Sequence, residues 1–263
     1  MSDIGTFQSG AGVSQYRVAS DLLHTQIDFR VFMSLIEKLQ HNLQMIVGDI
    51  EATCARSGRN PADVKLVAVT KYATWADVQE LSRLYQIFGE NRPQQLAERQ
   101  LLLPNVQWHL IGQLQRNKVR LALQHAALIH SVDSLKLLER IAEVGADLHQ
   151  RPRVLLQLNL SGGSSKSGFT FDEIKSIWSD VLKLSDQVRI DGLMTIAAES
   201  ENPEDARPCF RTLRECRDEL ASRPETAAAG LTLQELSMGM SGDFIQAVEE
   251  GATLIRIGSR VFA

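Results

Sequence analysis

The chain has 263 residues, 44% of them hydrophobic and 23% charged, which is ordinary for a globular protein and enough to bury a full core. A net charge of −4, with no Lys/Arg-rich block interleaved with aromatics, gives no electrostatic reason to expect nucleic acid as a partner, and no apolar stretch is long enough to span a bilayer. No charged-then-apolar leader opens the chain, so a cytoplasmic protein is expected; Cys54, Cys209 and Cys216 are too few and too scattered for a disulfide framework.

Residues 1–32 carry Gly5, Gly10 and Gly12 among polar residues without a sustained pattern and are expected to form a flexible tail, with Met33 opening the domain that runs to residue 263. From Leu35, apolar residues at Ile36, Leu39, Leu43, Ile46, Val47 and Ile50 recur at helical spacing until Gly58 and Pro61 stop them, which predicts one long amphipathic helix. Beyond it, strands alternate with helices. The strands are read at 65–70, 87–91, 106–112, 128–133, 153–160, 189–196, 233–239 and 253–258. Helical segments fall near 75–84, 93–102, 115–125, 134–148, 172–184, 203–221 and 242–250. Strict alternation over this length predicts an α/β fold, a (β/α)8 barrel of the TIM type preceded by the long helix. A doubly wound open sheet fits less well, because no G-x-G-x-x-G follows the first strand.

The first strand, KLVAVT, runs straight into Lys71, and Thr74 with Asp77 then supplies a capping box for the next helix. A lysine at the C-terminal end of a barrel strand stands where barrel chemistry is done and is a candidate Schiff-base nucleophile; a lysine snorkelling to the rim is the plainer alternative. Loops after strands 7 and 8 of a barrel often bind phosphate. Here SMGMSGDF places Ser241 and Gly242 after strand 7, and RIGS places Gly258 and Ser259 after strand 8. Taken singly, Ser241 reads as a helix cap and Gly258 as a turn residue. Arg256 alternates with Ile255 and Ile257, on the same side of the strand as Gly258. Facing inward, it needs either an ion-pair partner such as Glu90 or a bound heteroaromatic nitrogen.

Other features carry less. The loop GGSSKSGF (162–169) fails as a P-loop, because Phe169 and Thr170 stand where Lys and Ser/Thr are required; Lys166 either leans over the mouth or is solvated. Gln115, Asn117 and Lys118 open a helix near the same face. His109 and His130 have no metal-ligand spacing and read as core histidines, and Cys209 and Cys216 as core positions.

The ordered motifs VTKY at Lys71, FGEN (88–91), WHLIGQLQRNK (108–118), SKSG (165–168), GLMTI (192–196), SMGMS (237–241) and RIGS (256–259) together resemble the pyridoxal phosphate homeostasis proteins, from about residue 33 to the end. The resemblance implies a single barrel similar to the N-terminal domain of alanine racemase. It further implies pyridoxal 5′-phosphate held as an aldimine on Lys71, phosphate contacts from Ser241, Gly242, Gly258 and Ser259, Arg256 near the pyridine nitrogen, and Asn91 among the cofactor-binding residues. It departs in two places. Ser259 stands where threonine is usual, which keeps the hydroxyl, and the chain stops at RVFA where relatives run on, which is expected to loosen the last helix. The implied role is carriage and protection of the cofactor, with apoenzymes as receiving partners and a monomer or weak dimer as the working form. The rival is a pyridoxal phosphate-dependent amino-acid racemase. Racemisation needs a second base on the opposite face, and no length remains for the extra β-domain from which alanine racemase draws one; Tyr72 or Tyr85 would have to substitute, and neither has a spacing that supports it. Lysine-dependent aldolase barrels carry their lysine on strand 6, where this chain has none.

Overall fold

The computed structural model describes residues 34–160 and 167–263; the expected tail at 1–32, Met33 and Lys166 lie outside them. Leu35–Ala263 forms one compact unit. It opens with α1 (Leu35–Ser57), which buries Leu39, Ile46, Ile50 and Cys54 on one stripe. The helix ends in a Schellman turn, with Gly58 at φ +67° and the Arg59 N–H on the Cys54 carbonyl at 2.9 Å.

Eight strands follow: β1 (Lys65–Val69), β2 (Ile87–Glu90), β3 (Gln107–Leu110), β4 (Leu128–Val132), β5 (Arg153–Leu158), β6 (Arg189–Thr195), β7 (Glu235–Ser237) and β8 (Leu254–Ile257). They close in sequence order into a barrel, every neighbouring pair parallel, with β8 returning to β1 at Val67↔Arg256 and Ala68↔Ile257. The (β/α)8 expectation holds. Around the barrel lie α2 (Trp75–Leu81), α3 (Pro93–Leu102), α4 (Val119–His125), α5 (Leu135–Asp147), α6 (Phe171–Ser176), α7 (Trp178–Leu182), α8 (Arg207–Ala221), α9 (Pro224–Ala228), α10 (Phe244–Glu249) and α11 (Ser259–Phe262).

Period-two alternation divides the apolar residues between two cores. Val67, Leu128, Leu155, Met194 and Leu254 pack with Ile87 and Ile111 in a small cluster inside the barrel. A far larger set, with Phe88, Trp108, Ile129, Leu156, Leu193 and Ile255 among it, fills the layer between strands and helices. Burying each such side chain contributes about 1.5–3 kcal/mol, so the outer layer supplies most of the stability. Backbone packing is close where β6 meets β7. A Cβ on Gly192 would stand 1.8 Å from the Glu235 carbonyl oxygen, so Gly192→Ala has no space without moving the strand.

Several predicted elements are shorter in the structure or broken, strand 3 to Gln107–Leu110 and the helix at 115–125 opening as a 3-10 turn (Arg116–Lys118) among them, and three have clear local reasons. Strand 7 keeps only Glu235–Ser237 of the expected 233–239, because Leu233 at φ +48° and Gly239 at φ +90° turn the chain out of the extended region at both ends. The helix expected at 172–184 breaks at Ile177 (φ −99°, ψ 7°) into α6 and α7; Trp178 Nε1 then donates to Thr226 Oγ1 at 2.8 Å, tying α7 to α9, a helix the periodicity did not predict. The segment read at 203–221 begins as a 3-10 turn (Pro203–Ala206) before α8.

Helix α1 also binds the end of the chain. Asn42 Nδ2 donates to the carbonyls of Val261 (3.0 Å) and Ala263 (3.2 Å), and Arg260 pairs with Asp49 at 2.8 Å. Arg59 donates to the carbonyls of Val248 and Ala252 at 2.5 and 2.8 Å. The long first helix and the turn that ends it thus hold α11 and α10, the two helices that follow β8 and β7.

Candidate functional site

Lys71 sits in a four-residue turn at the C-terminal end of β1. The Thr70 N–H still pairs with the Gly89 carbonyl at 3.0 Å, and the Ala73 N–H closes the turn on the Thr70 carbonyl at 2.9 Å. Thr74 then caps α2 with the expected box: its hydroxyl accepts from the Asp77 N–H at 3.2 Å, and its own N–H donates to Asp77 Oδ2 at 3.0 Å. The lysine is half-buried, and among the described residues no carboxylate pairs with it. Its Nζ lies 4.8 Å from the centroid of the Tyr72 ring, which is itself 89% exposed. A cation–π contact at such an exposed site is worth only about 0.5–1 kcal/mol and leaves the amine accessible.

Arg256 faces into the barrel and is 5% exposed. The ion pair with Glu90 considered from the sequence does not form, because Glu90 lies on the other side of its strand and pairs with Arg99 at 2.5 Å. Neutral groups hold Arg256 instead: Nη1 donates to Ser237 Oγ at 2.6 Å and Nη2 to the Thr195 carbonyl at 2.9 Å. Burial lowers its pKa to about 10, against an opposing pull from Asp243, so the guanidinium remains a cation at neutral pH. Behind it runs a hydrogen-bonded chain across the barrel: Ser237 Oγ to His130 Nδ1 (2.8 Å), then His130 Nε2 to His109 Nδ1 (3.0 Å). Guanidinium can only donate, and among the described residues His130 Nδ1 is the one acceptor within reach of the Ser237 proton, so the arrangement that satisfies Ser237 has His130 carrying its proton on Nε2 and giving it to His109. Burial holds both imidazoles neutral, His109 down to about 3 and His130 well below its ordinary value. Both are hydrogen-bonded core histidines, as their spacing suggested.

The turn after β7 is shaped by Gly239, where a Cβ would meet the Ala247 methyl at 2.5 Å, and by Asp243. Asp243, rather than Ser241, is the N-cap residue of α10, and its Oδ1 accepts from the Met240 N–H at 2.6 Å. Ser241 is thereby left without a capping task. Among the described residues neither its hydroxyl nor the N–H groups of Ser241 and Gly242 find an acceptor, and a Cβ built on Gly242 meets nothing within 4 Å. After β8, Gly258 packs close to β1, its virtual Cβ 3.2 Å from the Val69 carbonyl oxygen, and an exposed Ser259 opens α11. Asn91 follows β2, its main chain so near β3 that a Cβ on Gly112 would stand 2.2 Å from the Asn91 carbonyl oxygen.

Because β7, β8, β1 and β2 are consecutive around the closed barrel, Ser241 and Gly242, then Arg256, Gly258 and Ser259, then Lys71, then Asn91 occupy one arc of its C-terminal mouth. Gln115 and Asn117 stand apart, lining a shallow surface groove with Arg116 and Arg140. Cys216 is core, its thiol pushed up to about 12 by burial, and among the described residues no three His, Cys, Asp or Glu side chains are placed to hold a metal. Two features escaped the sequence reading: the chain linking His109, His130 and Ser237 to Arg256, and the Arg99–Glu90 pair behind the lysine turn. Inward alternation would have found the first; the second required knowing which helix face meets β2.

An eight-stranded parallel barrel with an unneutralised lysine after its first strand is of the alanine racemase type: the family described as alanine racemase, N-terminal domain, matches residues 36–263. Within that class, the chain belongs to the pyridoxal phosphate homeostasis protein family. It is 37% identical to the family member of Aquifex aeolicus over 223 residues, covering 84% of this chain and 95% of the relative. It is 36% identical to that of Synechocystis sp. over 206 residues, covering 77% and 92%. Among solved structures, PipY of Synechococcus elongatus with PLP bound superposes with a TM-score of 0.70 at 35% identity, covering 82% of this chain and all (100%) of PipY.

Proposed function

We propose that this chain binds pyridoxal 5′-phosphate at the arc from β7 to β2 and serves cofactor homeostasis as a carrier, not as a racemase. The cofactor offers an aldehyde open to a primary amine, a phosphate, and a ring nitrogen that accepts a hydrogen bond. The donor set fits. Lys71 supplies the amine, uncommitted to any carboxylate among the described residues, and this is the observation that carries the reading, together with PipY's bound PLP. Ser241, Gly242, Gly258 and Ser259 take the phosphate with hydroxyls and with main-chain N–H groups, those of Ser241 and Gly242 having no other acceptor. Arg256 stands at the ring nitrogen as a permanent donor; it cannot surrender its proton, so it keeps that nitrogen neutral and weakens the ring as an electron sink. Asn91 closes the arc beside β2.

The geometry speaks against the racemase rival. Tyr85 is committed, its hydroxyl donating to the Leu66 carbonyl at 2.6 Å and its pKa raised to about 12 by burial. Tyr72 stands almost wholly in solvent, where a base on the far face of a bound substrate has no fixed position. No helix among the described residues is long and apolar enough to cross a membrane, which suits a carrier that meets apoenzymes in the cytoplasm as a monomer or weak dimer.

The test is to load the purified protein and follow the α-proton of alanine in heavy water. Exchange is expected to exceed that of free cofactor by no more than a single positioned base supplies, about 10²–10⁴-fold, and the bound cofactor should pass to an added apoenzyme. Sustained racemisation at roughly 10 per second would overturn the carrier reading.

A further inference from the structure

The turn bearing Lys71 is held from behind by a buried ion pair. Glu90 is fully buried (0% exposed) and Arg99, from α3, is 9% exposed. Arg99 Nη1 contacts Glu90 Oε1 at 2.5 Å and the Thr70 carbonyl at 2.7 Å, and Nη2 donates to the Ala73 carbonyl at 3.0 Å. Thr70 Oγ1 also donates to Glu90 Oε1. One planar guanidinium therefore grips both outer carbonyls of the Thr70–Ala73 turn while the carboxylate holds its first side chain. Glu90 Oε2, by contrast, has no hydrogen-bond partner among the described residues.

Such an arrangement is costly. Burial raises the Glu90 pKa, opposed by Thr70 and Arg99, and a buried ion pair commonly stabilises a fold no better than apolar residues of the same volume. What it does supply is geometry. Lys71 and Tyr72 lie between the two gripped carbonyls, inside a turn closed by the Ala73 N–H on the Thr70 carbonyl, and Glu90 immediately precedes Asn91, so Lys71 and Asn91 hang from one anchor. From these contacts we infer that Arg99 and Glu90 are positioning residues for Lys71, fixing its backbone so that Nζ meets an aldehyde at the mouth. This rests on the reading that Lys71 forms the covalent bond. In that step the neutral amine adds to the aldehyde carbon, a C=N bond replaces C=O, and the oxygen leaves as water with the two amine hydrogens.

The experiment uses the full chain and two probes: pyridoxal phosphate, and pyridoxine phosphate, which has an alcohol in place of the aldehyde and cannot bond to the lysine. Arg99→Lys keeps a cation beside Glu90 but lacks the fork that spans two carbonyls. Formation of the borohydride-fixed adduct on Lys71 is expected to slow on the order of 10–100-fold, the scale of a small misplacement of a reacting group, while pyridoxine phosphate binds as it does to the wild type. Thr70→Val removes only the hydroxyl on Glu90 and should show the same selectivity more weakly; it decides the matter if Arg99→Lys does not fold. Equal weakening of both ligands, or adduct formation at the wild-type rate in a folded variant, would overturn the positioning role. Absence of an adduct on Lys71 in the wild type would instead sink the parent reading.

Discussion

Apart from the outward-facing Arg99–Glu90 pair behind the lysine turn, the two ends of the barrel handle charge in opposite ways. At the N-terminal floor, Lys65 pairs with Glu235 at 3.2 Å, Glu235 also accepts from the Thr253 hydroxyl at 2.5 Å, and Asp191 takes Arg153 at 2.7 Å and Arg189 at 2.6 Å. Each of these cations has a carboxylate. At the C-terminal mouth, among the described residues, Arg256 is held only by Ser237 and Thr195, and Lys71 has no contact stronger than the Tyr72 ring. Lys65 and Lys71 flank the same five-residue strand, β1 (Lys65–Val69). One is neutralised and serves the fold; the other is kept uncommitted. An uncommitted lysine is what the proposed binding mouth requires, and it lies at the end where barrels of this type do their chemistry.

Replacing the two lysines in turn is the largest test of that contrast. Lys71→Ala should abolish the borohydride-fixed adduct completely, as read by peptide mapping. Lys65→Met should leave the adduct intact and cost no more than about 1 kcal/mol in denaturant unfolding, because its ion pair is half-exposed. An adduct that moved to Lys65, or survived Lys71→Ala, would erase the distinction between floor and mouth.

A smaller effect is expected at the rim. Hydrogen bonds to a charged phosphate contribute about 1.5–3 kcal/mol each, so replacing Ser241 and Ser259 together with alanine should weaken pyridoxal phosphate binding by more than roughly tenfold. Pyridoxal without the phosphate should scarcely register the change. Equal losses for both ligands in a titration would mean that the serines serve the backbone alone.

The barrel itself was legible because its signals are periodic. Alternating β-branched runs such as KLVAVT, each followed by a cap such as Thr74, mark a strand–turn–helix unit wherever they recur, and Lys71 stood out as a polar residue at the end of one. Ser241 and Ser259 were legible as neighbours because strand order puts the loops after strands 7 and 8 side by side, whereas Asn91 came with the family resemblance and not from spacing. What stayed hidden depends on side-chain pairing across elements. Nothing in the spacing distinguishes Arg99 meeting Glu90 from Arg256 meeting it, since that choice turns on which face of β2 carries Glu90. Ser241 does not cap α10 because the helix starts later than the spacing suggests, at Phe244 with Asp243 in the N-cap position; the Asp243 carboxylate turns back to the Met240 N–H and caps nothing, a backbone choice that sequence does not resolve.

The smallest expected effect separates the two ends by pH. The relay beneath the mouth is built from neutral imidazoles, with His109 held at about 3 against an ordinary value of 6.5, and His130 also far below it. In the unfolded chain both regain ordinary values, so below about pH 6.5 the unfolded state binds protons that the folded state refuses. The sign follows: their contribution is fully present above that pH and is lost on acidification, at about 1.4 kcal/mol per pH unit for each imidazole, continuing to about pH 3 for His109. Glu90 acts in the opposite sense, because its raised pKa lets the folded state keep a proton that the unfolded state releases. The histidine term is therefore isolated by comparison. Urea unfolding of the wild type and of His109→Gln between pH 7.5 and 5 should show a slope lower in the variant by about 1.4 kcal/mol per pH unit once the pH is below 6.5. Equal slopes would mean that His109 is protonated inside the fold. In that case it could not accept from His130, and the chain that orients Ser237 toward Arg256 would have to run the other way.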